Sequence, residues 1–188
     1  MAKTPNTKQR LIDSFARQLA SRGYEGTSLV EVAKENGITK PSLYHHFPDG
    51  KGALYLAAAT DFISQRHTNL ASALDASGRG LADRLERIVR AVADPTGAQV
   101  TFDQRIFDAL PLVDETIRSE ISREYVTKLL DPVEQVMRDA IAAGELAQDS
   151  SGFLTNAFLH LARGTDLAPD DEELPSKLVA LFIKGAAR

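Results

Sequence analysis

The chain has 188 residues, 43% hydrophobic and 26% charged, a balance that suits a folded protein with a real core and excludes a disordered polymer. It holds no cysteine, so disulfides, thiolate metal sites and cysteine nucleophiles are excluded, and no apolar run approaches the roughly 20 residues of a membrane span. The formal charge of −4 hides an asymmetry: up to Tyr55 there are eight Lys and Arg against five Asp and Glu, and beyond it fourteen against twenty-one. A basic head on an acidic body fits a local nucleic-acid surface or chance fluctuation equally well. The polar start, MAKTPNTKQR, lacks the apolar stretch of a signal peptide, which sets a cytoplasmic location as the expectation.

Helical spacing of apolar residues recurs along the whole sequence and nothing reads as a strand. The first helix is expected from about Thr7 to Arg22, where Leu11, Phe15 and Leu19 fall four apart beside Ile12, Ala16 and Ala20, with Gly23 as its C-terminal stop. A short second helix starts at Ser28, whose spacing to Glu31 is that of a reciprocal capping box, and ends at Asn36-Gly37. The third runs from Thr39, a good N-cap, to about Phe47, with Pro41 in the first turn and Pro48-Asp49-Gly50 as its stop. A long helix follows from about Lys51 to Ala76, about 39 Å at 1.5 Å per residue, closed by Ser77-Gly78. Further helices are expected at roughly 81–93, 102–110, 113–143, 151–164 and 171–186. Pro95, Gly97, Pro111, Gly144 and Pro169 lie near the breaks, and Pro132 demands a kink or break inside 113–143. The acids Asp170 to Glu173 suit a helix start.

Thr27 to Phe47 holds two short helices joined by a tight glycine-containing turn, the sequence form of a helix-turn-helix whose second helix enters the major groove. That helix is built for the task. Leu43 and Phe47 face back into the head, while Thr39, Lys40, Pro41, Ser42, Tyr44, His45 and His46 supply its first turn and its polar side. Lys40 suits a guanine edge or a phosphate, Ser42 a base or a phosphate, and Tyr44 and His46 phosphate oxygens. Thr27 and Ser28 open the second helix, where a hydroxyl and backbone N–H groups can meet a phosphate, and Lys51 is placed to meet another.

This stretch resembles the DNA-binding head of the tetracycline-repressor (TetR) family. The family's pattern is matched by Thr27-Ser28, Val32-Ala33, Gly37-Ile38-Thr39, Leu43-Tyr44-His45-His46-Phe47, Lys51 and Leu54, about the first quarter of the chain. The linker Pro48-Asp49-Gly50 is one residue longer than usual, a form similar to the LmrA-like subgroup. The resemblance implies an all-α chain of about nine helices. Residues 1–50 form a DNA-binding domain of three helices. Residues 51–188 form a ligand-binding and dimerisation domain entered by the fourth helix. It also implies a homodimer on a palindromic double-stranded DNA operator, released by a small-molecule effector of unknown identity. The alternative is a ligand-binding or interaction protein of the same fold that does not bind DNA.

The terminal helices carry Phe153, Ala157, Phe158, Leu161, Leu178, Leu181 and Phe182, which suit either a monomer core or, as the resemblance implies, a four-helix dimer interface. Phe62, Phe102, Ile106, Phe107, Leu110, Tyr125 and Met137 are the candidates to line a ligand pocket, although most helix aromatics are core. The adjacent His45 and His46 diverge by about 100° on a helix and do not easily share one metal ion. No nucleophile elbow, phosphate-binding glycine loop or His-Glu-x-x-His occurs, so neither an enzyme nor a cofactor is expected.

Overall fold

The computed structural model describes residues 6–75, 80–93, 98–168 and 170–187. These fold entirely as helices: α1 (Thr7–Gly26), α2 (Leu29–Glu35), α3 (Lys40–His46), α4 (Gly50–Asp75), α5 (Leu81–Val92), α6 (Ala98–Ala109), α7 (Glu115–Tyr125), α8 (Asp131–Ala142), α9 (Ser151–Ala162) and α10 (Leu174–Ala186). A π-helical segment, Val126–Leu130, joins α7 to α8 without a break, so that counting this rod once gives nine α-helices among the described residues. The breaks expected at Ser77-Gly78, Pro95, Gly97 and Pro169 lie outside those residues.

The packing divides the chain into two compact units, Met1–Phe62 with Ala98–Arg123, and Ile63–Gly97 with Glu124–Arg188. The expected division falls after residue 50; the packing instead groups α6 and most of α7 with the N-terminal helices.

In the first unit α1 packs against α6 and α2, and α2 against α3. The stripe expected on α1 is buried, with Leu11, Phe15 and Leu19 fully enclosed. Gly23 takes φ +70° and interrupts the helix as its sequence suggested, and one further turn runs to Gly26. Tyr55 of α4 is fully buried, its ring edge-on to Tyr24 at 5.2 Å, and its hydroxyl donates to the Ile106 carbonyl of α6 at 2.6 Å. Burial pushes the Tyr55 phenol well above its ordinary pKa, so it stays neutral and holds that bond as a donor.

In the second unit α8 packs on α9, and α10 on α5 and α9. Leu85, Ile88 and Val89 of α5, Val133 and Met137 of α8, and Phe158 of α9 form the heart of its core. The kink or break expected at Pro132 takes the form of the π-helical segment. Proline has no N–H to give the Lys128 carbonyl four residues back and its ring crowds that carbonyl, so the ladder shifts register just ahead of it. His67 Nδ1 lies 2.9 Å from the Lys128 oxygen, and because a carbonyl only accepts, the imidazole donates its Nδ1 proton there.

Candidate nucleic-acid interface

The turn between α2 and α3 is closed by backbone bonds from Gly37 N–H to the Lys34 carbonyl (3.1 Å) and from Ile38 N–H to the Ala33 carbonyl (3.0 Å). This closure puts Gly37 at φ +68°, a conformation that glycine adopts without the Cβ penalty. Thr39 then caps α3, its side chain accepting from Ser42 N–H at 3.4 Å. Leu43 is the one residue of α3 that is buried, fully so, and it fixes the helix by a burial worth about 1.5–3 kcal/mol. Phe47, also buried, closes the C-terminal end with the Lys8 ammonium over its ring at 5.5 Å.

With that face anchored, Thr39, Lys40, Pro41, Tyr44 and His45 are exposed, and Ser42 and His46 half-buried. Lys40 and Tyr44, one turn apart, pair with the ammonium 5.8 Å from the ring centre, and the His45 and His46 rings stand edge to face at 5.9 Å. A short, well-capped helix therefore presents a cation, a phenol and two imidazoles from one anchored side, groups that match base edges and phosphates. Val30 of α2 is exposed beside this set in sequence order and was not singled out from the sequence.

Three expected contacts sit differently. Thr27 is buried, and its hydroxyl donates to the Gly23 carbonyl at 2.8 Å, left open where α1 breaks; its side chain therefore faces the protein. Lys51 reaches the Glu25 carbonyl at 3.2 Å and lies 4.7 Å from the centre of the Tyr24 ring. Partial burial lowers the Lys51 pKa, against the opposing pull of Glu25. The capping box at Ser28 is only half formed. Ser28 Oγ accepts from Glu31 N–H at 3.4 Å, but Glu31 turns away to pair with Arg22, and the Ser28 N–H goes to Gln18 Oε1 at 3.1 Å.

Gln18, with Ser14, also braces α2 from α1, and sequence reasoning passed both over. Its Nε2 donates to Glu35 at 2.9 Å, and Ser14 Oγ donates to the other Glu35 oxygen. The Ser14 bond first, then the Gln18 bond, hold the Glu35 carboxyl below its ordinary pKa. Gln18 and Ser14 lie four apart on the helix, beside the apolar stripe, and a polar pair at that spacing was the available signal.

The residues expected around a ligand pocket disperse. Phe62 and Phe102 stack edge-on at 5.0 Å in the first unit, where Ile106 is core, Phe107 is 38% exposed and Leu110 is half-buried. Met137 is fully enclosed in the core of the second unit. Tyr125 lines a cavity of about 60 Å³ in that unit, in company with Arg66, Leu70, Leu130 and Arg163, none of which was singled out. The terminal-helix set also divides. Phe158 and Phe182 belong to the unit's own core, their rings 5.1 Å apart, and half-buried Leu178 reaches over Gly164. Phe153 (60% exposed) and Leu181 (61%) stand open, and with Ala157 and Leu161 they line an apolar groove along α9 and α10.

Residues 11–58 match the family model described as bacterial regulatory proteins, tetR family. The chain is 31% identical over 71 residues to the HTH-type transcriptional regulator LmrA of Bacillus subtilis (strain 168), a match covering 38% of either protein. It is 26% identical over 131 residues to IcaR, the negative transcriptional regulator of the biofilm operon icaADBC in Staphylococcus aureus (strain Newman), covering 63% of this chain and 69% of IcaR. The match thus spans well under half of LmrA. Among solved structures, a bacterial regulatory protein in the tetR family from Rhodococcus RHA1 superposes with a TM-score of 0.77 at 14% identity, covering 98% of each chain. AibR, solved in complex with isovaleryl coenzyme A and operator DNA, gives 0.71 at 20% identity over 96% of this chain and 98% of AibR. The structural likenesses carry the fold, and the sequence matches identify residues 11–58 as similar to the head of the tetR family of bacterial regulatory proteins.

Proposed function

We propose that the protein is a dimeric transcriptional repressor that holds a palindromic DNA operator with α3 and is released from it by a small molecule bound in its second unit. The observation that carries this reading is α3 itself, buried at Leu43 alone and exposing Lys40, Tyr44 and His45 from a capped first turn, at the end of the chain where basic residues outnumber acidic ones. The matched family model covers this same segment. IcaR is a negative regulator and AibR was solved with both an operator and a ligand, which supports repression and ligand response here.

In this reading Lys40 and Ser42 read base edges, and Thr39, Tyr44, His46 and Ser28 fix register on phosphates. Thr27 and Lys51 act as braces within the head. Residues 1–50 are the DNA-binding domain and 51–188 carry ligand binding and dimerisation. Phe153, Ala157, Leu161 and Leu181 meet the same face of a second copy, because a groove with two large apolar side chains open to water is stabilised by self-association. A two-fold dimer places its two α3 helices in successive major grooves about 34–36 Å apart. The effector releases DNA only by binding the form with the wrong spacing more tightly than the form with the right one. Among the described residues no helix is long and apolar enough to cross a membrane. The protein acts in the cytoplasm as a regulator, not as a catalyst.

The test is retention of operator fragments recovered by selection from genomic DNA. Lys40→Ala and Tyr44→Ala each weaken retention at least tenfold while the protein stays folded by circular dichroism, and the wild-type affinity falls steeply with salt as phosphate contacts release counterions. Undiminished affinity in both variants removes α3 from the interface.

A further inference from the structure

Packing leaves one apolar side chain of α2 open to water. Val30, in the first turn, is 55% exposed, while Val32 and Ala33 are buried. Local propensity does not call for it, since a β-branched residue is a poorer helix former than alanine and a side chain this open adds little to the core. Its direction is fixed by its neighbours. Successive helical residues turn by about 100°, so Glu31 and Glu35 share one flank of α2 and Val30 and Lys34 share the other. The first flank is held to α1, Glu31 by Arg22 and Glu35 by Ser14 and Gln18. Val30 and Lys34, both exposed, therefore look away from α1.

The first turn of α2 also borders α3. A Cβ added at Gly50 meets Leu29 Cδ1 at 3.6 Å and Tyr44 Cε1 at 3.0 Å together. Val30, the next residue after Leu29, thus adds an apolar group to the polar surface of α3, with Lys34 one turn along to face a phosphate.

The duplex offers such a group one matching partner. Against a phosphate or a hydrogen-bonding base edge, valine strips water and returns no bond. The major groove of unmodified DNA carries a single kind of apolar group, the C5-methyl of thymine. The helix holds valine close to one χ1 rotamer, so little side-chain freedom is lost on contact. We propose that Val30 packs on a thymine methyl group in each half-site, and so makes the protein select thymine at one operator position. The proposal rests on the DNA-binding reading above and adds an apolar contact to the polar ones of α3.

The experiment uses the full chain and the operator recovered by selection. Each thymine is replaced in turn by deoxyuridine in both half-sites, which removes one methyl group and leaves every hydrogen-bonding edge in place. At one position the wild type loses about fourfold in affinity per half-site, the effect of one buried methyl group, and about fifteenfold over both. Val30→Ala stays folded by circular dichroism, because the side chain is largely exposed. It binds the thymine operator more weakly than wild type and no longer distinguishes thymine from deoxyuridine at that position. A wild type indifferent to deoxyuridine everywhere, or a Val30→Ala variant as sensitive as wild type at every position, overturns the assignment. Lys40→Ala and Tyr44→Ala are measured on the same operator. If they still weaken retention, the failure belongs to Val30 alone; if they too bind undiminished, α3 leaves the interface and the repressor reading falls with it.

Discussion

Gly50 and Gly37 offer a matched pair of perturbations that separates backbone strain from the positioning of the DNA-facing side chains. Both glycines have left-handed backbones, φ +63° and φ +68°. Alanine at either position therefore carries the same left-handed penalty, about 1–2 kcal/mol. The surroundings differ. A Cβ at Gly37 meets nothing within 4 Å, whereas at Gly50 it meets Tyr44 Cε1 at 3.0 Å and Leu29 Cδ1 at 3.6 Å. At 39% exposure the Tyr44 ring has room to yield, so it moves in preference to breaking the head apart. The two variants then lose similar stability. At about 2–4 °C per kcal/mol for a chain of this size, each melts about 2–8 °C below wild type. Their operator affinities diverge. With Tyr44 on a phosphate as proposed, Gly50→Ala displaces its phenol and loses about one hydrogen bond to a charged group, about 1.5 kcal/mol or roughly tenfold, and Gly37→Ala stays within a factor of about two of wild type. Melting followed by circular dichroism and operator retention at fixed salt provide the two readouts. Equal operator affinity in the two variants would refute the placement of Tyr44 on DNA, and an unchanged melting temperature in both would refute the strain argument.

Glu35 ties α2 to α1 through Ser14 and Gln18, and its pKa is lowered in the folded state. A carboxyl of that kind contributes stability above its unfolded pKa and loses the contribution as pH falls through the folded one. Glu35→Gln is therefore less stable than wild type at neutral pH, by no more than about 1 kcal/mol because the group is largely solvated. The difference narrows as the pH drops below the ordinary carboxylate range in denaturant titrations; a difference that grows on acidification contradicts the bonding described. Leu181→Glu, at a position 61% exposed, leaves the fold of its unit intact and converts the dimer to monomer in sedimentation at micromolar concentration. Persistence of the dimer in Leu181→Glu combined with Phe153→Glu would move the interface elsewhere.

Local chemistry in the sequence determined the helices of this protein almost completely. The start of α3 at Thr39, the stop at Gly23, the turn at Gly37 and the disturbance ahead of Pro132 all follow from capping side chains, glycine's access to left-handed backbone and proline's missing N–H, which act within four residues and need no tertiary partner. The anchored and open sides of α3 were legible for the same reason, since Leu43 and Phe47 are one turn apart. What the tertiary structure alone decided is which partner each polar or apolar group meets. Thr27 and Lys51 turned to the head because backbone carbonyls at Gly23 and Glu25 lay within reach, and Gln18 took the N–H that Glu31 was expected to satisfy. The aromatics of α4 and α6 became packing while Arg66 and Arg163, remote in sequence, came to one cavity. A residue's spacing fixes its face of a helix, but the neighbour on that face comes from elsewhere in the chain, and no periodicity records the distance between the two.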